Sequence, residues 1–394
     1  MADQHSLFPA HATGAKDEGT GILASQHIEE LIARRWITAS APIEPGQIQP
    51  ASLDLRLGST AYRVHASFLP GRNRRVLNRV EDLLIETIDL SSPAVLHRGF
   101  VYIIPLMEEL AFLGDYSAKA NPKSTTGRLD IFTRLITDYA DAFDVVPSGY
   151  KGQLFVEVVP KTFDVRLRQG IRLNQLRIRR GAPRPADTNV LRLHEDEGLV
   201  FVDGEKVEPD VEGGGVWVHL DLRPGAEGVV GYKAKDQPSI IDLERIGFYD
   251  PMDFWDVARL TRHGSLVLRP DEFYILVSRE SIKVPLTVAA DMVPYDPAVG
   301  EYRVHYAGFF DPGFGAIGAA VGTPAVLEVR SHEVPFVLEN EQPVARLVYE
   351  QLLSRPSKVY GVDIGSSYQG QGLTLSKHFK RPAIRVNTTG GDTQ

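Results

Sequence analysis

Lys123, Ser124, Thr125 and Arg128 fall within one short stretch, NPKSTTGRLD, residues 121–130. Two cations with hydroxyls between them form a plausible grip on an anion. Lys supplies a mobile point charge, and Arg a planar fork suited to phosphate oxygens. Pro122 breaks a strand and Ser124 is a capping residue, so a helix is expected to start here, where backbone amides and the dipole also favour anions. In a helix Ser124 and Arg128, four apart, share one face. The plainer alternative is an ordinary helix start with solvated cations. Two glutamates could move protons: Glu157 in GYKGQLFVE, seven residues after Tyr150, and Glu328 in PAVLEV, 14 residues after Phe314. Both lie in alternating apolar runs. An inward carboxyl has a raised pKa suited to proton transfer, whereas an outward one is a common strand residue.

The remaining composition narrows the chemistry. The 394 residues are 43% hydrophobic and 24% charged, with a net charge of −8 and no cysteine. An acidic chain argues against a nucleic-acid surface but leaves room for a local basic cluster. Without cysteine there are no disulfides, thiol nucleophiles or Cys-based zinc sites, which fits a reducing, cytoplasmic setting. His27-Ile28-Glu29 matches half of the H-x-E…PCxxC zinc deaminase signature, and the other half cannot exist. Those residues are expected on a surface helix. The first 20 residues carry no secretory pattern, and no run is long and apolar enough for a membrane span. Residues 1–20 are expected to be a disordered arm and 381–394 a flexible tail.

Elements that could position these residues follow from periodicity. Residues 22–37 have helical spacing, with Ile28, Leu31, Ile32 and Trp36 on one side. Beyond them come short β-rich runs broken by Gly, Pro and Asp, the texture of barrels and sandwiches. Three pairs of segments recur in order: 51–58 with 218–225, 96–110 with 268–282, and 148–158 with 312–329. The offset is about 170 residues, as a duplicated domain would give. The expected division is a first domain over 21–180, a linker at 181–190 in the Pro- and Arg-rich RRGAPRPADTN, and a second domain over 191–380.

IQPASLDLRLG, KSTTGR, GYKGQLFVE, AGFFDPGF (307–314) and SSYQGQGLTLS (366–376) together resemble the dCTP deaminases of the trimeric dUTPase superfamily, once in each half. The resemblance implies a mainly β chain, a duplicated dUTPase-like distorted jelly-roll or β-clip barrel with a few short helices. It implies hydrolytic deamination of dCTP to dUTP and ammonia without zinc, Mg²⁺ arriving on the substrate triphosphate. It further implies a homo-oligomer, with dTTP a candidate feedback inhibitor and neither nucleic acid nor membrane as partner. Alternatives are a dUTPase, a bifunctional deaminase and diphosphatase, and a non-catalytic nucleotide-binding protein.

In that family KSTTGR holds the triphosphate, which implies Lys123, Ser124, Thr125 and Arg128 as phosphate ligands. AGFFDPGF receives sugar and base, implying Ala307 and Asp311. The closing tail implies stacking or hydrogen bonding by Tyr368 and phosphate contact by Gln371. The halves are unequal: VVPSGY in the first lacks the Asp before Pro-Gly, and the second lacks the phosphate turn. One reading is a composite site with Asp311 and Glu328 from the second half facing the turn of the first, as in the duplicated dUTPases of herpesviruses. The other is a ring of first-half domains using Glu157. Both glutamates stand as catalytic candidates.

Overall fold

The computed structural model describes residues 19–182, 185–225, 228–236, 239–294, 302–305, 308–317, 321–331, 333–359 and 372–381. The chain is mainly β. In the first half the long strand Lys151–Pro160 lies between Val101–Ala111 and Ile131–Thr137. In the second half Thr323–Ser331 lies between Phe273–Ile282 and Tyr302–His305. A second sheet repeats in the same way. Arg172–Arg180 pairs with Leu53–Arg56 and Tyr116–Pro122, and Pro343–Gln351 pairs with Gly215–His219 and Val288–Pro294. All three repeated sequence pairs therefore occupy matching ladders, and the duplication is structural as well as textual.

The elements follow their local chemistry. The helix expected over 22–37 occupies Ser25–Ala33, with Ile28 and Leu31 buried, and a two-residue strand, Gly21–Ile22, precedes it. Three helices, one of them the four-residue Pro251–Phe254, escape the sequence patterns. Val76–Leu83 lies in the connection between strands Thr60–Val64 and Leu84–Asp89, and Asp187–Glu197 begins inside the segment expected to be linker. In the latter, Asp187 sits in the first turn, where the helix dipole favours it.

The first-half core extends across the seam into the second half, which also has a core of its own. Phe163 of the first half packs edge-on against Phe254 and Trp255 of the second, at 5.9 and 5.6 Å between ring centroids. Phe379 closes the group from the C-terminal side, 5.4 Å from Phe254 and 5.9 Å from Trp255. Each such ring adds roughly 1.5–3 kcal/mol by leaving water, so the halves are held as one body. Polar clamps reinforce the seam: buried Arg330 pairs with Asp130 and donates to Thr162 Oγ1 at 3.0 Å. The hairpin carrying Asp311 is fixed to strand Phe273–Ile282 through Gly315. Its φ is +62°, and a Cβ there would lie 2.1 Å from Ile282 O. Among the described residues no helix is long and apolar enough to cross a membrane.

Candidate active site

Strand Tyr116–Pro122 ends at its proline, and Lys123 (φ −70°, ψ 147°) leads into helix Ser124–Gly127. This helix is a single turn, so its dipole is small and the binding charge must come from side chains. Lys123, not Ser124, occupies the capping position, and Ser124 is exposed. Arg128 leaves the helix inward rather than outward. It is buried, donates from Nη1 to Thr374 O at 3.0 Å, and its Nε stands 3.7 Å from Glu328 Oε1. Arg128 therefore faces the second-half glutamate, while Lys123 faces the opposite end of the turn.

At the Lys123 end lies a cavity of about 320 Å³. Its polar walls are Lys123, Thr125, Thr126, Arg172, Lys377 and His378, with Asp54 as the carboxylate. Lys123 is paired with Asp54, and Arg172 approaches the same carboxylate at 3.9 Å. Burial, followed by repulsion from Lys123, lowers the pKa of Lys377. Burial and then Lys377 bring His378 down to about 4, the Leu243 carbonyl opposing. Three cations around one carboxylate make a site that an anion would relax.

At the other end Glu328 is enclosed on strand Thr323–Ser331, 6% exposed. Burial raises its pKa to about 8 against the opposing pull of Arg128, so at neutral pH it carries its proton. Asp311 lies in the same seam. Arg177 of the first half donates to Asp311 Oδ1 at 3.0 Å, pairs with Asp291, donates to Ala290 O at 2.8 Å and stacks over Phe309 at 4.1 Å. Burial raises the Asp311 pKa; Arg177 opposes the shift, while the field of Asp54 adds to it. Asp311 thus responds to residues that line the cavity.

Glu157 stands apart from this constellation. It is fully buried and accepts twice from Arg134 directly across the ladder, at 3.0 and 2.6 Å. The Arg134 guanidinium lies 3.5 Å from the centre of the Phe143 ring. The structure therefore brings Lys123, Thr125, Arg128, Asp311 and Glu328 to one seam and leaves Glu157 locked elsewhere. Ala307, Tyr368 and Gln371 lie outside the described residues, as do 1–18 and 382–394 of the two expected tails. Asp54, Arg172, Arg177 and Lys377 are missed by the sequence patterns. Only Asp54 carries a signal, its place in the repeated ASLDLRLG. Among the described residues no group of three or more His, Asp or Glu side chains is gathered in metal-ligand fashion.

Two family models match this architecture. The 2'-deoxycytidine 5'-triphosphate deaminase N-terminal domain covers residues 19–182, and its C-terminal domain residues 186–379. A crystal structure of 2'-deoxycytidine 5'-triphosphate deaminase from Agrobacterium tumefaciens is 50% identical, with a TM-score of 0.82 over 88% of this chain and 99% of that one. The chain belongs to the dCTP deaminase family. Single-length members match only part of it. A dCTP deaminase of Haloarcula marismortui is 30% identical over 43% of this chain and 85% of its own length. A dCTP deaminase, dUMP-forming, of Halobacterium salinarum is 31% identical over 47% of this chain and 89% of its own. A dCTP deaminase with the seam described above thus carries in one chain the Arg and the Glu that a single repeat does not bring together.

Proposed function

We propose that this chain hydrolyses dCTP to dUTP and ammonia at the seam between its halves, with Glu328 as the proton carrier. The observation that supports this most is a buried carboxyl of one half beside a buried arginine of the other, its pKa raised by burial. The substrate is the magnesium complex of dCTP. Its phosphates take the cavity of Lys123, Thr125, Arg172 and Lys377, where Asp54 Oδ1 is buried without a hydrogen-bond partner and suits the magnesium ion. Asp311, held by Arg177, takes the sugar side.

The proton steps balance with one carboxyl. Glu328 gives its proton to ring N3 while a water adds through oxygen to C4, and it takes one proton from that water. It then gives this proton to the exocyclic amine. As the C4–N bond breaks and ammonia leaves, it recovers the hydroxyl proton while C4=O forms. Arg128 stabilises the carboxylate each time it appears. With no cysteine in the chain, the His/Cys/Cys zinc arrangement of other deaminases is not available, and a carboxyl route meets the same need.

Incubation of purified protein with dCTP and Mg²⁺ is expected to release dUTP and ammonia in equal amounts. Absence of turnover with both metal-stripped and metal-replete protein would show the reading to be wrong. A second reading is favoured by the dUMP-forming name of the Halobacterium salinarum relative. There a further water cleaves at the α-phosphate, and pyrophosphate appears with dUMP. Chromatography of the same reaction separates the two.

A further inference from the structure

The hydrogens around Ser376 do not suffice while His378 is neutral. Ser376 Oγ lies 3.1 Å from Thr125 O and 3.0 Å from His378 Nδ1, and His378 Nε2 lies 3.1 Å from Leu243 O. Both carbonyls only accept, so the ring must carry hydrogen on Nε2. In the neutral tautomer Nδ1 is then also an acceptor, and two acceptors compete for the single Ser376 hydrogen. An imidazolium resolves the conflict. Nδ1–H donates to Ser376 Oγ, the hydroxyl donates to Thr125 O, and Nε2–H donates to Leu243 O. Protonation completes an unbroken run of bonds from the second half to the phosphate turn of the first.

We propose that His378 is a positioning residue that takes up a proton when a nucleotide triphosphate fills the cationic cavity, and that the imidazolium then clamps Thr125 through Ser376. This rests on the cavity being the triphosphate end of the proposed site. Ser376 and His378 are each 2% exposed, so water does not readily supply the missing hydrogen bond. The charges facing the ring account for the coupling. Lys377 is its chain neighbour, and Lys123 and Arg172 line the same cavity with Asp54. On the other side stands Asp242, engaged by Arg166 at 3.7 Å and Arg245 at 3.9 Å. Burial is the main cause of the depressed His378 pKa, Lys377 adds to it, and the empty cavity leaves the Lys123 and Arg172 charges without an anion. A bound polyphosphate reverses that field and favours the imidazolium. The segment bearing the clamp is itself well fixed: Gly247 N donates to Lys377 O at 2.9 Å, and Phe248 N to His378 O at 2.9 Å. Protonation therefore acts on the turn, because the C-terminal segment cannot yield.

Calorimetric titration of the full chain with Mg·dCTP near pH 6, in buffers of different ionisation enthalpy, counts the protons taken up on binding. The wild type is expected to take up about half a proton more than His378→Asn. Titration of the nucleotide's own phosphate cancels in that difference. Inorganic tripolyphosphate is expected to give the same excess, because the phosphates drive it. Ser376→Ala keeps the ring but removes the acceptor of Nδ1–H, and its excess uptake is expected to fall below the wild-type value. Equal proton counts in wild type and His378→Asn, with both binding the nucleotide, overturn the inference alone. No binding by folded wild type overturns it together with the reading of the cavity. Should His378→Asn lose its cooperative thermal transition, the comparison of wild type with Ser376→Ala decides instead, and equal counts there overturn the inference.

Discussion

Glu157 and Glu328 occupy matching places on matching strands, yet their surroundings differ sharply. Glu157 faces Arg134 across its own ladder and is gripped by two charge-assisted bonds, with Phe143 stacked on the guanidinium. Its neighbour on the strand, Phe155, packs with Phe68, Val76 and Val80, so helix Val76–Leu83 covers that part of the sheet. The strand bearing Glu328 packs against the other half through Val326, and Arg128 of that half approaches Glu328 only to 3.7 Å. A cation at bonding distance from its own half fixes Glu157. A looser one from the opposite half faces Glu328, as the proton role proposed for it requires. Duplication supplied two equivalent carboxyls, and what covers each one separates their roles.

The sharpest test of this contrast is Glu328→Gln against Glu157→Gln. Loss of the proton carrier is expected to lower turnover by about 10²–10⁴-fold with dCTP affinity kept, while Glu157→Gln stays within a few-fold of wild type. The reverse pattern in single-turnover assays would move the chemistry to the first half. Next in size is Arg134→Ala, which leaves Glu157 charged and unpaired in the interior. Breaking such a buried pair costs about 3–5 kcal/mol, and denaturant midpoints are expected to fall accordingly while dCTP turnover per folded molecule holds.

The fold was far more legible than the site. Alternation of apolar and polar residues marks strands directly, and three ordered repeats revealed a duplication that the ladders reproduce. Pair formation across the seam had no such periodic signature, and only the resemblance set Asp311 and Glu328 opposite the turn. Arg128 belongs to an apparent surface turn, and nothing in KSTTGR indicates that its arginine turns inward to a glutamate 200 residues away. Arg177 is equally silent, one Arg among several in RLNQLRIRR. Long-range partners depend on how two sheets dock, and periodicity within a strand does not encode that. Asp54 sat in a recognised repeat, but its meaning emerged only with Lys123 beside it.

A smaller effect should appear in the pH profile. In free protein the Glu328 pKa is raised to about 8, and kcat/KM reports groups of the free enzyme. The proton needed for N3 is present below that value and lost above it. kcat/KM for dCTP is therefore expected to be steady through neutrality and to decline above pH of about 8, by up to tenfold per unit. A profile flat to pH 9.5 would remove Glu328 from the role of acid.

The least effect concerns the first half, where Asp144 shares the field of Arg134 and Glu157. Burial raises its pKa from 3.8 to about 7, opposed by the Leu135 N–H and Arg134 and assisted by Glu157. The folded state therefore holds a proton between about pH 4 and 7 that the unfolded chain releases, so stability falls as pH rises through that window and the loss is complete above it. Asp144 keeps part of its surface in solvent, so the expected loss is about 1–2 kcal/mol, below the full linkage value. Asp144→Asn should flatten this slope, because its side-chain oxygen still accepts from Leu135 N and Asn tolerates the φ of +60° found here. Thermal melts at pH 5 and pH 8 measure it. The same substitution in an Arg134→Ala background should relieve more, since the removed guanidinium is what held the carboxylate in check. An equal gain in both backgrounds would mean that Asp144 does not sense the Arg134–Glu157 pair, and that the first half's glutamate is held by its two hydrogen bonds alone.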